Sequence, residues 1–226
     1  MTEVTIRNRG LLHTLDSFVD MFYSIPEDIR CSKEHQTLSS QQAADDPEYF
    51  CGEEYLISQK ALGSRHSGYP EEYYSHPVTH MVKSNPEIFT EFKDRVKHQF
   101  ASEIGAHTSA LLNYYPPGGF VGWHTNWNAH CYQILFTWSK DGNGYFRYWD
   151  NQKQEIVHTQ DVPGWQCRHY YFGRLDEPEH HCWHAAYAGS DRITLAYKFV
   201  NNSKSHPSDA MAQAMRDDLI SEIESK

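Results

Sequence analysis

From about residue 108 to residue 200 the chain is a series of short aromatic and β-branched runs, and this constrains its fold more than any other feature. The runs fall near 108–115, 132–138, 145–149, 169–172 and 193–200. Asp141-Gly142-Asn143-Gly144 lies between two of them and carries two strong hairpin dipeptides, Asp-Gly and Asn-Gly. It therefore predicts a hairpin and antiparallel pairing in place of a βαβ crossover. Strands of this kind bury one face by closing into a sandwich or jelly roll, so the expected class is mainly β with flanking helices.

The flanks have a different period. Leu11, Leu12, Leu15, Phe18, Val19 and Phe22 recur at helical spacing and predict a helix over 10–24, ended by Pro26. Asn85-Pro86 starts a second helix over 86–104, with Phe89, Phe92, Val96 and Phe100 on one face and Gly105 as its stop. Between them, 32–84 is polar, Tyr-rich and broken by Gly and Pro, which predicts an irregular insertion that could form a lid. Met211, Met215, Leu219 and Ile223 step by four after Pro207 and predict a terminal helix packed weakly on the sheet. At 226 residues the chain suits one compact unit. Its expected parts are a helical and irregular support over 1–105, a β core over 106–201 and a C-terminal helix over 202–226.

A formal charge of -10 argues against capture of nucleic acid by a broad basic surface, leaving only a local basic groove for such a ligand. Five cysteines with no C-x-x-C pair predict reduced thiols and argue against a zinc ribbon. No apolar run approaches the roughly 18 residues that span a bilayer. The expectation is a cytoplasmic protein with no membrane partner; its oligomeric state has no sequence signature.

The chemistry concentrates in Asn113-Tyr-Tyr-Pro-Pro-Gly-Gly-Phe-Val-Gly-Trp-His-Thr-Asn126, where His124 follows a Gly-rich, strand-like run, and in a second Trp-His pair at Trp183-His184. Two neutral imidazoles on facing strands with an oxygen ligand, and with positions left open, suit a non-haem Fe(II) centre. Most of the fifteen histidines must instead be surface or core residues. These motifs resemble the 2-oxoglutarate/Fe(II)-dependent dioxygenases, whose double-stranded β-helix carries an H-x-D/E, a distal His and a downstream Arg. The match spans roughly 113–199: His124-Thr125-Asn126 lies at the H-x-D/E, His184 at the distal ligand, and Gly189-Ser-Asp-Arg192-Ile-Thr194 is similar to the G-x-R-x-S/T strand.

The resemblance implies Fe(II) held by His124, Asn126 and His184, with 2-oxoglutarate anchored by Arg192 and Thr194. The frame of Asn113, Tyr115, Pro117 and Gly118 ahead of His124 is similar to the AlkB-like group, which implies that Asn113, Tyr115 and Lys198 also contact 2-oxoglutarate. The spacing from His184 to Arg192 looks more like prolyl-hydroxylase-type enzymes. The implied activity is hydroxylation or demethylation of a small-molecule or side-chain substrate with release of succinate and CO2. Trp127 and Asn128 fall where members of this superfamily often touch substrate.

Asn126 stands where the family has a carboxylate, and three readings follow. It could act as a weak ligand or partner an iron-bound water in a working oxygenase. The chain could follow the related halogenases, which lack the carboxylate, although Asn is larger than their Ala or Gly. Or it could keep the fold, bind metal or metabolite, and no longer turn over, as would a cupin-like jelly roll, which has no need of Arg192 in its frame.

Overall fold

The computed structural model describes residues 1–63, 68–199 and 210–225. In chain order these form β1 (Thr2–Val4), α1 (Arg9–Ser24), α2 (Glu27–Arg30), β2 (Thr37–Leu38), α3 (Gln41–Asp45), α4 (Glu53–Leu62), β3 (Tyr73–Pro77), α5 (Val78–Ser84) and α6 (Pro86–Lys93). A π-helical stretch, Asp94–Gln99, leads into α7 (Phe100–Glu103). Then follow β4 (Thr108–Tyr115), β5 (Gly119–His124), β6 (Cys131–Ser139), β7 (Gly144–Asp150), β8 (Glu155–Gln160), β9 (Gly164–Phe172), β10 (His184–Ala188), β11 (Arg192–Phe199) and α8 (Ala210–Glu224).

Two antiparallel sheets face one another: β1-β9-β6-β11-β4 and β5-β10-β7-β8. From β4 to β11 the chain crosses from one sheet to the other at every step except β7 to β8, the wrapping of a jelly roll, or double-stranded β-helix. β3 joins the sheets at one corner, pairing Tyr73 and Tyr74 with β5 and His76 and Pro77 with β4.

The Asp141–Gly144 turn departs from expectation. It joins β6 to β7, which do not pair: β6 lies between β9 and β11, and β7 between β8 and β10. The same turn chemistry serves a corner between sheets, with Gly142 at φ 80° and its N–H donating to Ser139 Oγ, and Ser190 donating to Asp141. The hairpin lies instead at β7–β8.

The helices cover the outer face of the first sheet. Asn8 caps α1 by accepting from the Leu11 N–H, and Leu15, Phe18 and Phe22 are buried against Phe92, Phe100 and Tyr114. Each such side chain contributes about 1.5–3 kcal/mol on burial. The expected 86–104 helix is present but widened by its π turn, where the Val96 carbonyl accepts from the Tyr197 hydroxyl at 2.7 Å. α8 packs more tightly than its sequence suggested: Leu219 and Ile223 are buried, and the Ile223 carbonyl accepts from the Arg7 and Asn8 N–H groups. Val200, 202–209 and the Met211 side chain lie outside the described residues.

The described residues of the 32–84 segment are more ordered than an irregular insertion. Phe50 stacks on Phe120 with ring centroids 5.8 Å apart, Tyr55 and Leu56 of α4 are buried, and Trp123 donates to the Gly52 carbonyl at 2.9 Å. These apolar residues are too sparse to make a periodic pattern, yet they cover the outer face of the second sheet. No described helix is long and apolar enough to cross a membrane.

Candidate metal and cosubstrate site

His124 closes β5 and His184 opens β10, and the two are direct cross-strand partners. Their rings lie with centroids 4.1 Å apart, both buried. Each Nδ1 sits 2.8 Å from a backbone carbonyl, that of Gly122 for His124 and that of Cys182 for His184. A carbonyl oxygen only accepts, so both rings carry their proton on Nδ1, and both Nε2 lone pairs are directed elsewhere. Burial lowers the His184 pKa to about 4, which keeps that imidazole neutral at pH 7.

Asn126 follows two residues after His124 in the left-handed conformation, φ 59° and ψ 23°, which Asn tolerates better than most residues. This turns its amide back toward the histidines, with Nδ2 3.4 Å from His184 Nε2. The amide donates to the lone pair that would bind a metal; rotated by half a turn, it presents Oδ1 to the same point. The Asn126 N–H donates to the Gly68 carbonyl at 2.6 Å, and Gly68 packs against the Trp127 ring.

Arg192 opens β11 at the other end of the barrel. Its Nε donates to Asp161 Oδ2 at 2.8 Å and its Nη1 to Thr194 Oγ1 at 2.9 Å, while Nη2 is buried with no hydrogen-bond partner. Both members of the ion pair are out of water, at 3% and 0% side-chain exposure. Arg168 lies close by, its pKa lowered by burial and then by the Arg192 charge. This end of the barrel therefore holds two guanidinium groups against one buried carboxylate.

A cavity of about 700 Å³ joins the two ends. His124, Asn126, His184, Asn113, Tyr115, Arg192, Thr194 and Lys198 all line it, so the structure brings together every residue that the sequence assigned to metal and cosubstrate. Asn113 donates to Ser75 and lies 3.5 Å from the Tyr115 hydroxyl. Trp127 lies elsewhere: it lines a smaller cavity with Lys60 and Trp183, and Asn128 lines neither. Phe120, Leu135, Phe146 and Phe172 supply apolar walls and Thr137 a further hydroxyl. Asp161, the residue that orients Arg192, was missed; it sits in the short link from β8 to β9, where nothing in the sequence marks it.

The fold and site define a jelly-roll protein with two cross-strand histidines at one end of a cavity and a buried guanidinium at the other. No protein-family model matches the chain, and no curated protein does. Among solved structures it is similar to a Pseudomonas putida prolyl-4-hydroxylase, at 11% identity over 80% of this chain and 100% of that one, with a TM-score of 0.32. It is similar to a rice dioxygenase for auxin oxidation at 15% identity, over 89% of this chain and 74% of that one, with a TM-score of 0.34. An oxidoreductase of the 2OG-Fe(II) oxygenase family from Burkholderia pseudomallei is 12% identical over 92% of this chain and 100% of its own, TM-score 0.34. Likeness of this degree carries no argument about activity.

Proposed function

We propose that this chain is a non-haem Fe(II)/2-oxoglutarate-dependent oxygenase. The observation that carries the reading is the orphaned, buried Nη2 of Arg192 in the same cavity as two histidines whose Nδ1 atoms meet backbone carbonyls and leave Nε2 for a ligand. A buried donor with no partner costs about 1–3 kcal/mol and fits a ligand that brings its own acceptor. The residues present therefore fit the pair: imidazole nitrogens and an amide oxygen for the metal, and a guanidinium with hydroxyls for a distal carboxylate.

When bound, iron with 2-oxoglutarate supplies oxidation of a C–H bond by dioxygen, with succinate and CO2 released. The chain's own contribution is position. Burial keeps His184 neutral, and carbonyl partners at Nδ1 fix the tautomer of both His124 and His184. Asp161 and Thr194 hold the Arg192 fork in one orientation, so a carboxylate meets a preformed donor. Phe120, Phe146 and Phe172 keep water from the walls.

The deciding experiment is an anaerobic titration with Fe(II) and then 2-oxoglutarate, following the visible metal-to-ligand charge-transfer band. The band is expected in the native protein and absent in His124→Ala and Arg192→Lys, with circular dichroism verifying that both variants fold. Retention of the band in both would end this reading.

A second reading, binding without turnover, is favoured by the Asn126 amide donating into the metal-facing lone pair of His184. A band that appears only in Asn126→Asp would select it. A halogenase-like site is less well supported, since the Asn126 side chain fills the space that a halide would need.

A further inference from the structure

We infer that the smaller cavity is a binding site for a planar aromatic carboxylate, separate from the chamber of the histidines and Arg192. The alternation of one short stretch places it. His124 and Asn126 line the large cavity, whereas Thr125 and Trp127 line the small one, as does Trp183 just before His184. Neighbouring side chains of an extended chain point to opposite sides, so the wall that carries the two histidines has a second face. There lies a cavity of about 360 Å³ that shares no lining residue with the first among the described residues. The inference therefore does not depend on the oxygenase reading. Cavities that take small ligands run from about 300 to 1,000 Å³, so this one suits a molecule of one or two rings.

The lining residues give the ligand its chemistry. Thr125 is 2% exposed, and its Oγ1 has no hydrogen-bond partner. A buried hydroxyl left unpaired is costly, and a ligand oxygen in the cavity satisfies it. The Lys60 Nζ lies 3.6 Å from the centroid of the Trp149 ring, and desolvation lowers its pKa with no carboxylate to offset the shift. A ring face holds an ammonium in place without neutralising it, so the charge remains for a ligand at the cavity edge. Trp127 and Trp183 supply flat apolar surface, with the Trp127 ring packed against Gly68. Leu175, also on the cavity wall, is 43% exposed. A planar ring laid against such side chains takes their apolar surface out of water.

The sign and size of the ligand charge follow from the same wall. Among the described lining residues Lys60 is the one lysine or arginine, and none is Asp or Glu. An organic cation would meet that ammonium with no carboxylate to hold it, and a dianion would find one permanent charge for two. The excess of 30 acidic over 20 basic residues in the chain further disfavours a polyanion. A single carboxylate suits one ammonium and one hydroxyl, and an aromatic body suits the two indoles.

The test measures binding of 2-naphthoate to the full-length protein without metal by calorimetry, beside neutral 2-naphthamide and 2-naphthyl phosphate. Naphthoate is expected to bind more tightly than either. Lys60→Gln should weaken it about tenfold and leave the amide unaffected, as for loss of one charge-assisted contact. Lys60→Arg keeps both the charge and a cation for the Trp149 ring and should retain naphthoate. Thr125→Val keeps the shape and should weaken naphthoate about fivefold, as for one hydrogen bond. Thermal unfolding of each variant checks the fold; Lys60 is exposed, so its substitutions decide the matter even where Thr125→Val unfolds. No naphthoate binding, equal binding of the amide, or unchanged naphthoate affinity in Lys60→Gln would each overturn the proposal. So would a loss in Lys198→Gln that Lys60→Gln does not share, which would put the probe in the large cavity. Tighter binding of the naphthyl phosphate would assign a phosphate site and sink the carboxylate.

Discussion

Asp161 and Arg192 meet at 2.8 Å with both side chains out of water, and the contact fixes which guanidinium nitrogen faces the cavity. Removing one member of such a pair leaves a charge buried alone, which costs roughly 3–5 kcal/mol. Asp161→Asn keeps the shape and deletes the charge, so it should lower stability by about that amount in urea unfolding, and it should weaken 2-oxoglutarate binding as the fork loses its orientation. A loss under about 1 kcal/mol would mean that the carboxylate does not hold Arg192 in solution.

Asn126→Asp should strengthen metal binding. The side chain reaches within 3.4 Å of His184 Nε2, so a carboxylate there places a full negative charge beside the ion. The expected gain is roughly tenfold in Mn(II) affinity by calorimetry, about 1.4 kcal/mol. Equal affinity in both proteins would show that this side chain does not occupy a coordination position.

His76 makes the fold sensitive to acid. Burial, and then the neighbouring His35 ring 6.5 Å away, lowers its pKa to about 4 from the ordinary value of 6.5. The unfolded chain thus takes up a proton at a higher pH than the folded one. The stabilisation is complete above about pH 6.5 and is lost as pH falls toward about 4. Urea unfolding at about pH 7 and pH 5 should show a loss on the order of 1 kcal/mol that His76→Gln does not share. Identical losses in the two proteins would clear His76 of this role.

Gly68 has φ 84°, and a Cβ there would meet Trp127 ring atoms at 2.7 to 2.9 Å. Gly68→Ala should cost about 1–2 kcal/mol from the left-handed backbone alone. Because the Gly68 carbonyl accepts from the Asn126 N–H, the variant should also weaken Mn(II) binding and shift the tryptophan emission. An unshifted emission would argue that the Gly68–Trp127 contact does not persist in solution.

Much of this was legible in the chain. The helix expected over 10–24 forms over Arg9–Ser24, and all five strand runs fall within strands as far as they are described. The histidines were marked by their two Trp-His pairs and Arg192 by the family resemblance, and they line one cavity. What escaped had no local signature. β10 is His-Ala-Ala-Tyr-Ala, whose small residues carry little strand propensity and are placed by their partners on both sides. β8 is largely exposed and polar, so it lacks a buried face to reveal it. The Asp141–Gly144 turn has the same residues whether it closes a hairpin or carries the chain between sheets; pairing partners far away in sequence decide which. Asp161 and Arg192 are 31 residues apart and meet only after β9, β10 and β11 have been laid down.

The corner strand β3 bears on where the molecule can be cut. Its first two residues complete the ladder of β5 and its last two that of β4, so five residues from the N-terminal half stitch a seam in the barrel. A fragment beginning at residue 106 would expose two unpaired strand edges at the cavity wall, inviting self-association there. The smallest autonomous version of this protein must therefore start upstream of Tyr73, and the N-terminal half is part of the vessel.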